Sequence, residues 1–278
     1  MKDHLPSSTA LGVTVIRAVH QLIDQTPLIL EDVISPRLLP VETLDAIRHH
    51  PDHFRSPEQN GLRSHVVLRS RYAEDELRSA VGEGLTQLIS LGAGYDTFAF
   101  RQPDWAKDLR VVEVDHPATQ RAKIDLFRGR NVTFAENTSF FPLDLEQGSL
   151  DFDRLSLDRD KPMFVSCLGV LAYLRHETVR RVFAAIGKLA KGSRIALAFA
   201  PKNHDGRVTE ASGASQQAAS HGEPWQTYFT EDELTTELTE AGFRRVSFLG
   251  VEEAASKYYR GRTDLPVPKR VRLCMGEV

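Results

Sequence analysis

An α/β fold with a mainly parallel sheet behind an N-terminal helical cap is predicted by three observations. From residue 86 onward, apolar runs of strand length alternate with amphipathic runs of helix length, the pattern of repeated βα units. The first apolar run, Leu88-Ile89-Ser90-Leu91, enters the turn Gly92-Ala93-Gly94. The second ends in Glu113-Val114-Asp115. A glycine turn after strand one lets a ligand approach the backbone. An acid about 20 residues later, at the tip of strand two, can accept hydrogen bonds from ribose hydroxyls.

The elements follow in order. Residues 11–23 place Val15, Ile16, Val19, Leu22 and Ile23 on one helical face, interrupted by Arg17 and His20. A second helical block covers roughly 40–50, the polar stretch HPDHFRSPEQNG follows, and a third helix is expected over 70–85. Residues 1–85 then form the cap and 86–278 the cofactor-binding domain. Strands are expected at 87–91, 110–115, Asn131 to Ala135, 163–169, 194–200, 244–249 and 270–277, with helices at 117–128 and 176–190. Thr230-Glu231-Asp232-Glu233 is a capping box, and Gly242 closes the helix it opens. Residues 202–224 are polar and small, with a low-complexity tract at 211–220. Long loops of this kind are often functional, and a lid insertion is expected near 202–228.

Composition narrows the function. The 278 residues carry a net charge of −3, which implies no general attraction to nucleic acid. No apolar run approaches the roughly 18 residues of a membrane span, and MKDHLPSSTA lacks the apolar core of a signal peptide. The two cysteines, Cys167 and Cys274, lack CxxC spacing and read as buried free thiols. The expectation is a cytoplasmic protein, monomeric or homodimeric, that acts on a small molecule and binds no metal.

The glycine turn also bears on the cofactor. A dinucleotide fingerprint needs a third glycine for close helix packing, and Thr97 stands there. Asp96 sits where a helix N-terminus would attract phosphate, and its charge would repel a pyrophosphate. It would tolerate a cofactor with a cationic amino-acid part, such as S-adenosyl-L-methionine. An NAD(P)-dependent oxidoreductase and a non-catalytic binding protein on the same sheet are the alternatives. Asn203-His204-Asp205 has the residue types of a hydrolytic triad, but GxSxG is absent.

Together LISLGAGYDT, VVEVDHPATQRAK, FPLDL, LGVLAYL and PWQTYFTEDEL resemble the leucine carboxyl methyltransferase family. The chain looks most like the bacterial branch of S-adenosyl-L-methionine-dependent O-methyltransferases, which includes polyketide-modifying enzymes. The resemblance spans about 9 to 278 and implies the class I methyltransferase fold. That fold is a Rossmann-like seven-stranded sheet with its last strand antiparallel. It implies that Arg71 grips the cofactor carboxylate through bidentate guanidinium geometry. Gly92, Ala93 and Gly94 would form the turn, and Asp115 would bind ribose with Glu113 close by. Asp144 and Leu145 would meet the adenine. Leu168 departs from the pattern, because many members have Glu there, lining the cofactor and substrate cavity.

The resemblance further implies methyl transfer to a carboxylate or hydroxyl of a small molecule, with secondary metabolites among the candidate acceptors. A carboxylate needs no general base, whereas an alcohol or phenol benefits from one. No base is unmistakable in the sequence. Arg17, His20, Tyr173, His204 and Tyr228 are the candidates to face the acceptor.

Overall fold

The computed structural model describes residues 6–205 and 213–278. Among the described residues, four α-helices precede the sheet: α1 (Ser8–Ile23), α2 (Ser35–Leu38), α3 (Val41–His49) and α4 (Pro57–Gly82). β1 (Gln87–Leu91), β2 (Arg110–Asp115), α5 (Pro117–Gly129) and β3 (Thr138–Pro142) come next. β4 (Phe164–Cys167), α6 (His176–Ile186) and β5 (Arg194–Ala198) follow. α7 (Gly213–Ser220), α8 (Glu231–Ala241), β6 (Arg245–Phe248), α9 (Val251–Tyr258) and β7 (Leu273–Glu277) complete the chain.

The sheet has the order β3-β2-β1-β4-β5-β7-β6. β1 to β5 run parallel, and β7 enters antiparallel between β5 and β6. This is the class I methyltransferase arrangement expected from the sequence. The central strands are apolar on both faces because helices cover both sides. Ile89, Leu91, Val112 and Val114 pack towards α6 and α8, with Val179, Phe183 and Leu234. Leu88, Val111 and Phe164 pack on the opposite face against Val67, Leu68, Tyr72 and Leu77 of α4.

Local signals set most helix ends. Thr230 caps α8 through its side chain, with Glu233 returning the bond, and Gly242 ends it at φ 109°. Pro117 occupies the first turn of α5, where a missing N–H costs nothing. Three sequence expectations are corrected. The third helix is longer than 70–85 and starts at Pro57, because Ser56 and Gln59 form a capping box. β3 begins at Thr138, and Asn131 to Ala135 form no strand; Asn131 takes φ 53°, which breaks extended structure. The turn after β1 opens no α-helix: two short 3-10 turns, Phe98–Phe100 and Asp104–Ala106, carry the chain to β2. Of the expected 202–228 lid and its 211–220 tract, residues 206–212 lie outside the described residues, and 213–220 form α7.

Candidate active site

The carboxyl ends of the parallel strands open into a cavity of about 2030 Å³. It lies where the strand order reverses between β1 and β4, the crevice at which open α/β sheets take ligands. α1, the first half of α4 and the segments 218–226 and 266–272 wall it.

The glycine turn forms part of its floor. Gly92 and Gly94 have φ 59° and 50°, a region that side chains with Cβ avoid. A Cβ at Gly92 would lie 2.2 Å from Val170 Cγ2, and one at Gly94 would lie 3.1 Å from Ala10 Cβ. Asp115 holds this turn. One carboxylate oxygen accepts the Gly94 N–H, and the other accepts the His116 N–H at 2.6 Å. Burial pushes the Asp115 pKa up, and the two amide bonds oppose that shift. After β3, Asp144 accepts the Glu146 N–H at 2.9 Å, and the Leu145 carbonyl accepts from Arg181 at 2.6 Å. Gly92, Ala93, Gly94, Asp115, Asp144, Leu145 and Leu168 all line the cavity.

Two arginines face the same space. Arg17 donates to Asp96 at 2.8 Å and to Ser70 at 2.7 Å. Asp32 and Arg101 extend this cluster, which ties α1 and α4 to the glycine turn. Burial alone would raise the Asp96 pKa. Arg17, with Lys123 and Arg101, instead holds it well below the usual carboxylate range. Arg17 Nε and Nη1 and Arg69 Nε are buried without a hydrogen-bond partner, and the Arg69 guanidinium lies against the backbone of Gly169. Burial and the neighbouring Arg17 charge push the Arg69 pKa down to about 10. A buried guanidinium without an acceptor is costly unless an anion joins it.

Several expected positions are corrected. Arg71 is 41% exposed and pairs with Asp75 at 2.9 Å, away from the cavity. Arg69 lines the cavity in its place. Two residues along a helix turn it by about 200°, so only one arginine of the RSRY segment can face inward. Glu113 is buried on Lys123 at 2.5 Å and does not reach the cavity. His20 is fully buried: its Nδ1 lies 2.7 Å from Asp24, and its Nε2 accepts the Leu30 N–H. Arg63 shares Asp24, so His20 belongs to the joint between α1 and α4. His204 is exposed and Tyr228 stands behind Trp225; neither lines the cavity. Tyr173 does line it, with its ring edge-on to Trp225. Thr97 is fully buried and accepts from Arg101 Nε, so the position of the missing third glycine is filled by a structural hydroxyl.

Sequence reasoning passed over Arg69, His65, Arg272 and Glu223, all on the cavity wall. His65 and Arg69 are one turn apart on α4, a spacing that could have signalled a shared polar face.

The family model for leucine carboxyl methyltransferase matches residues 10–187. The chain belongs to the leucine carboxyl methyltransferase family. Among its relatives is YktD of Bacillus subtilis (strain 168), named for S-adenosyl-L-methionine-dependent methyl transfer. That protein is 28% identical over 95% of both chains. A Mycobacterium ulcerans (strain Agy99) relative named for the same activity is 29% identical, over 68% of this chain and 64% of its own. A crystal structure from Thermobifida fusca YX, titled as a methyltransferase, matches with a TM-score of 0.56 at 20% identity. The match covers 98% and 95% of the two chains and bears on the fold.

As a leucine carboxyl methyltransferase family member, the protein is an S-adenosyl-L-methionine-dependent methyltransferase. The oxidoreductase alternative falls with that membership. The cavity fits the cofactor: the glycine cradle has no room for side chains, and the buried Nε of Arg69 has no acceptor. Among the described residues, no cluster suits a metal ion and no helix is long and apolar enough to cross a membrane.

Proposed function

We propose that this enzyme methylates an oxygen of a small molecule, a carboxylate or a hydroxyl, with secondary metabolites among the candidate acceptors. The observation that carries the reading is the floor of the cavity. There the Asp115-held glycine turn shares one space with the unpaired Arg69. Arg69 would hold the cofactor's carboxylate, Asp115 its ribose hydroxyls, and Asp144 and Leu145 its adenine. S-adenosyl-L-methionine supplies an electrophilic methyl carbon on a sulfonium sulfur. The chain's own task is to align donor and acceptor and to exclude water.

Oxygen acceptors are favoured by the lining. Tyr173 brings a phenol to the wall, and His65 is held neutral. Burial, then the charges of Arg69 and Arg272, push the His65 pKa down to about 3. That imidazole is not poised as a strong base near neutral pH, which suits a carboxylate or an acidic phenol.

Calorimetry tests the cofactor assignment. S-adenosylhomocysteine is expected to bind and NAD to fail. Arg69→Met is expected to weaken S-adenosylhomocysteine by about tenfold or more, the scale of one charged hydrogen bond. Arg71→Met is expected to leave it unchanged. The reverse order would restore Arg71 to the site.

The N-terminal cap (residues 1–85) and the 202–228 segment would close over the domain formed by 86–278. One contact supports this. Glu223 accepts from Ser7 Oγ at 2.9 Å, the Ser8 N–H at 3.0 Å and Thr9 Oγ1. A carboxylate at the first turn of α1 also complements the helix dipole. Glu223→Ala is expected to speed amide exchange across residues 9–23 without shifting it in β1 or β4. Identical exchange in both proteins would remove Glu223 as a clasp.

A further inference from the structure

The cavity is larger than its cofactor. Pockets for drug-sized ligands run to about 300–1,000 Å³, so a cavity of about 2030 Å³ holds the cofactor with at least as much space beside it. Part of that space is bounded by the helical cap. The wall there includes Val13 and Ile16 of α1, Leu62 and Val66 of α4, and Phe54 from the turn before α4. Phe54 and Val15 of α1 pack against one apolar cluster, and the Phe54 carbonyl accepts from Arg63 of α4 at 2.8 Å. The two helices and that ring therefore bound one lobe. The Ser64 hydroxyl of α4 donates to the Pro266 carbonyl at 2.6 Å, which draws the 266–268 wall onto the same helix. Arg63 turns its other donors to Asp24 and Asn60, so its charge is matched. Glu58, Lys269 and Arg270, also on the cavity wall, are exposed to solvent.

Two glycines stand on this wall. Among the described residues, Gly12 and Gly61 are the glycines inside helices, each the fifth residue of its own. Gly82, Gly129 and Gly213 stand at helix ends. A glycine inside a helix weakens it, because its backbone loses more freedom on folding than that of any other residue. Close packing can require one, as at Gly187, where a Cβ would lie 1.9 Å from the Ala241 carbonyl oxygen. Nothing of that kind holds at Gly12 or Gly61. A Cβ at either would meet no atom within 4 Å, and both residues line the cavity. Neither takes the positive φ that favours glycine. The chain's own atoms thus give no reason for glycine at either position, whereas a ligand lying close to the backbone does. Gly61, His65 and Arg69 follow one another at single turns of α4, which puts Gly61 about 12 Å along the helix from Arg69. A ligand body at Gly61 therefore clears a cofactor carboxylate at Arg69.

Resting on the methyltransferase reading above, we propose that Gly12 and Gly61 set acceptor specificity, by opening a lobe of the cap for a bulky, apolar acceptor body. The reacting oxygen of such an acceptor points to the glycine turn, and its uncharged ring or chain system lies between α1 and α4. Taking that body out of water supplies affinity without a directional contact, which matches a wall of Val, Ile, Leu and Phe side chains. A leucine in place of either glycine would occupy the space of the body. A small acceptor that stays over the sheet would not meet it.

The test uses the full chain saturated with S-adenosylhomocysteine. Calorimetry compares phenol, 2-naphthol and 4-phenylphenol, which carry one hydroxyl on a growing apolar body. The wild type is expected to bind 4-phenylphenol about tenfold or more tighter than phenol, the scale of burying one further ring. Gly12→Leu and Gly61→Leu are each expected to remove most of that gain. Gly82→Leu is expected to keep it, because Gly82 is as open at Cβ but lies outside the cavity. All three variants are expected to keep wild-type affinity for S-adenosylhomocysteine, which also reports that they fold. Gly12→Ala and Gly61→Ala are expected to raise the melting temperature by about 1–2 °C each, the scale of replacing a helix glycine in a chain of this size. The proposal is overturned if the gain survives both cavity leucines, or if the wild type shows no preference for the larger phenols. It is also overturned if both alanine variants melt below wild type, because the glycines then serve the fold. Equal losses of S-adenosylhomocysteine and 4-phenylphenol in the cavity leucine variants overturn it too, because the lobe then belongs to the cofactor. Failure of the wild type to bind S-adenosylhomocysteine would instead overturn the cofactor assignment itself.

Discussion

Lys123→Met is expected to destabilise the protein by up to about 3–5 kcal/mol at alkaline pH, the cost of leaving a buried charge without its partner. Lys123 is 1% exposed and lies between Glu113, at 2.5 Å, and the rings of Phe100 and Phe127. Burial pushes the Glu113 pKa up to about 7 even with the lysine present. Without Lys123, only burial and the like charges of Asp96 and Asp115 remain, and all of these push it higher. The folded-state pKa then lies well above the unfolded value, so the folded state binds the extra proton. Stability of the variant therefore falls as pH rises from about 4.5 through the folded pKa. The melting-temperature gap between wild type and Lys123→Met is expected to stay nearly constant below pH 7 and to widen above it, where Glu113 ionises beside Lys123 in the wild type but stays protonated in the variant. Glu113→Leu combined with Lys123→Met is expected to recover most of the loss, because no buried charge is left. A double variant as unstable as the single one would show that packing, not charge, holds this site.

The second large effect is expected at Asp115. Asp115→Ala is expected to weaken S-adenosylhomocysteine by about 2–3 kcal/mol, from lost charged hydrogen bonds to ribose. The carboxylate also accepts the Gly94 and His116 amides, so this variant will lose some stability as well. Asp115→Asn separates the two roles. An amide oxygen can still accept one backbone N–H, so the Asn variant should melt closer to wild type while still binding weakly. Calorimetry beside a thermal melt reads both. Wild-type affinity in a well-folded Asp115→Ala variant would exclude this acid from ribose binding.

The strand ends and the glycine turn were legible because their signals are local. Leu88 to Leu91 is apolar on both faces, and Gly92 and Gly94 supply the positive φ that the turn requires. The capping box at Thr230 and the stop at Gly242 were legible for the same reason. Arg71 and Glu113 misled because residue type reveals nothing about the direction in which a side chain points. Arg69 and Arg71 have the same chemistry, and the rotation of α4 about its axis selects between them. That rotation is set by Val67, Leu68 and Leu77 packing on the sheet. Glu113 and Asp115 stand two residues apart on β2. Glu113 is drawn into the core by Lys123 of α5, whereas Asp115 ends the strand at the cavity.

By itself, the sequence determined the alternating βα architecture, the glycine turn, the acid at the tip of β2 and the family to which the chain belongs. Each depends on short stretches whose backbone requirements are written in neighbouring residues. The tertiary structure alone decided which arginine enters the cavity and that His20 is a joint and not a base. Those outcomes depend on groups distant in sequence, such as Arg63 with Asp24 and Arg69 with Gly169. They come together only when α4 packs on α1 and on the sheet.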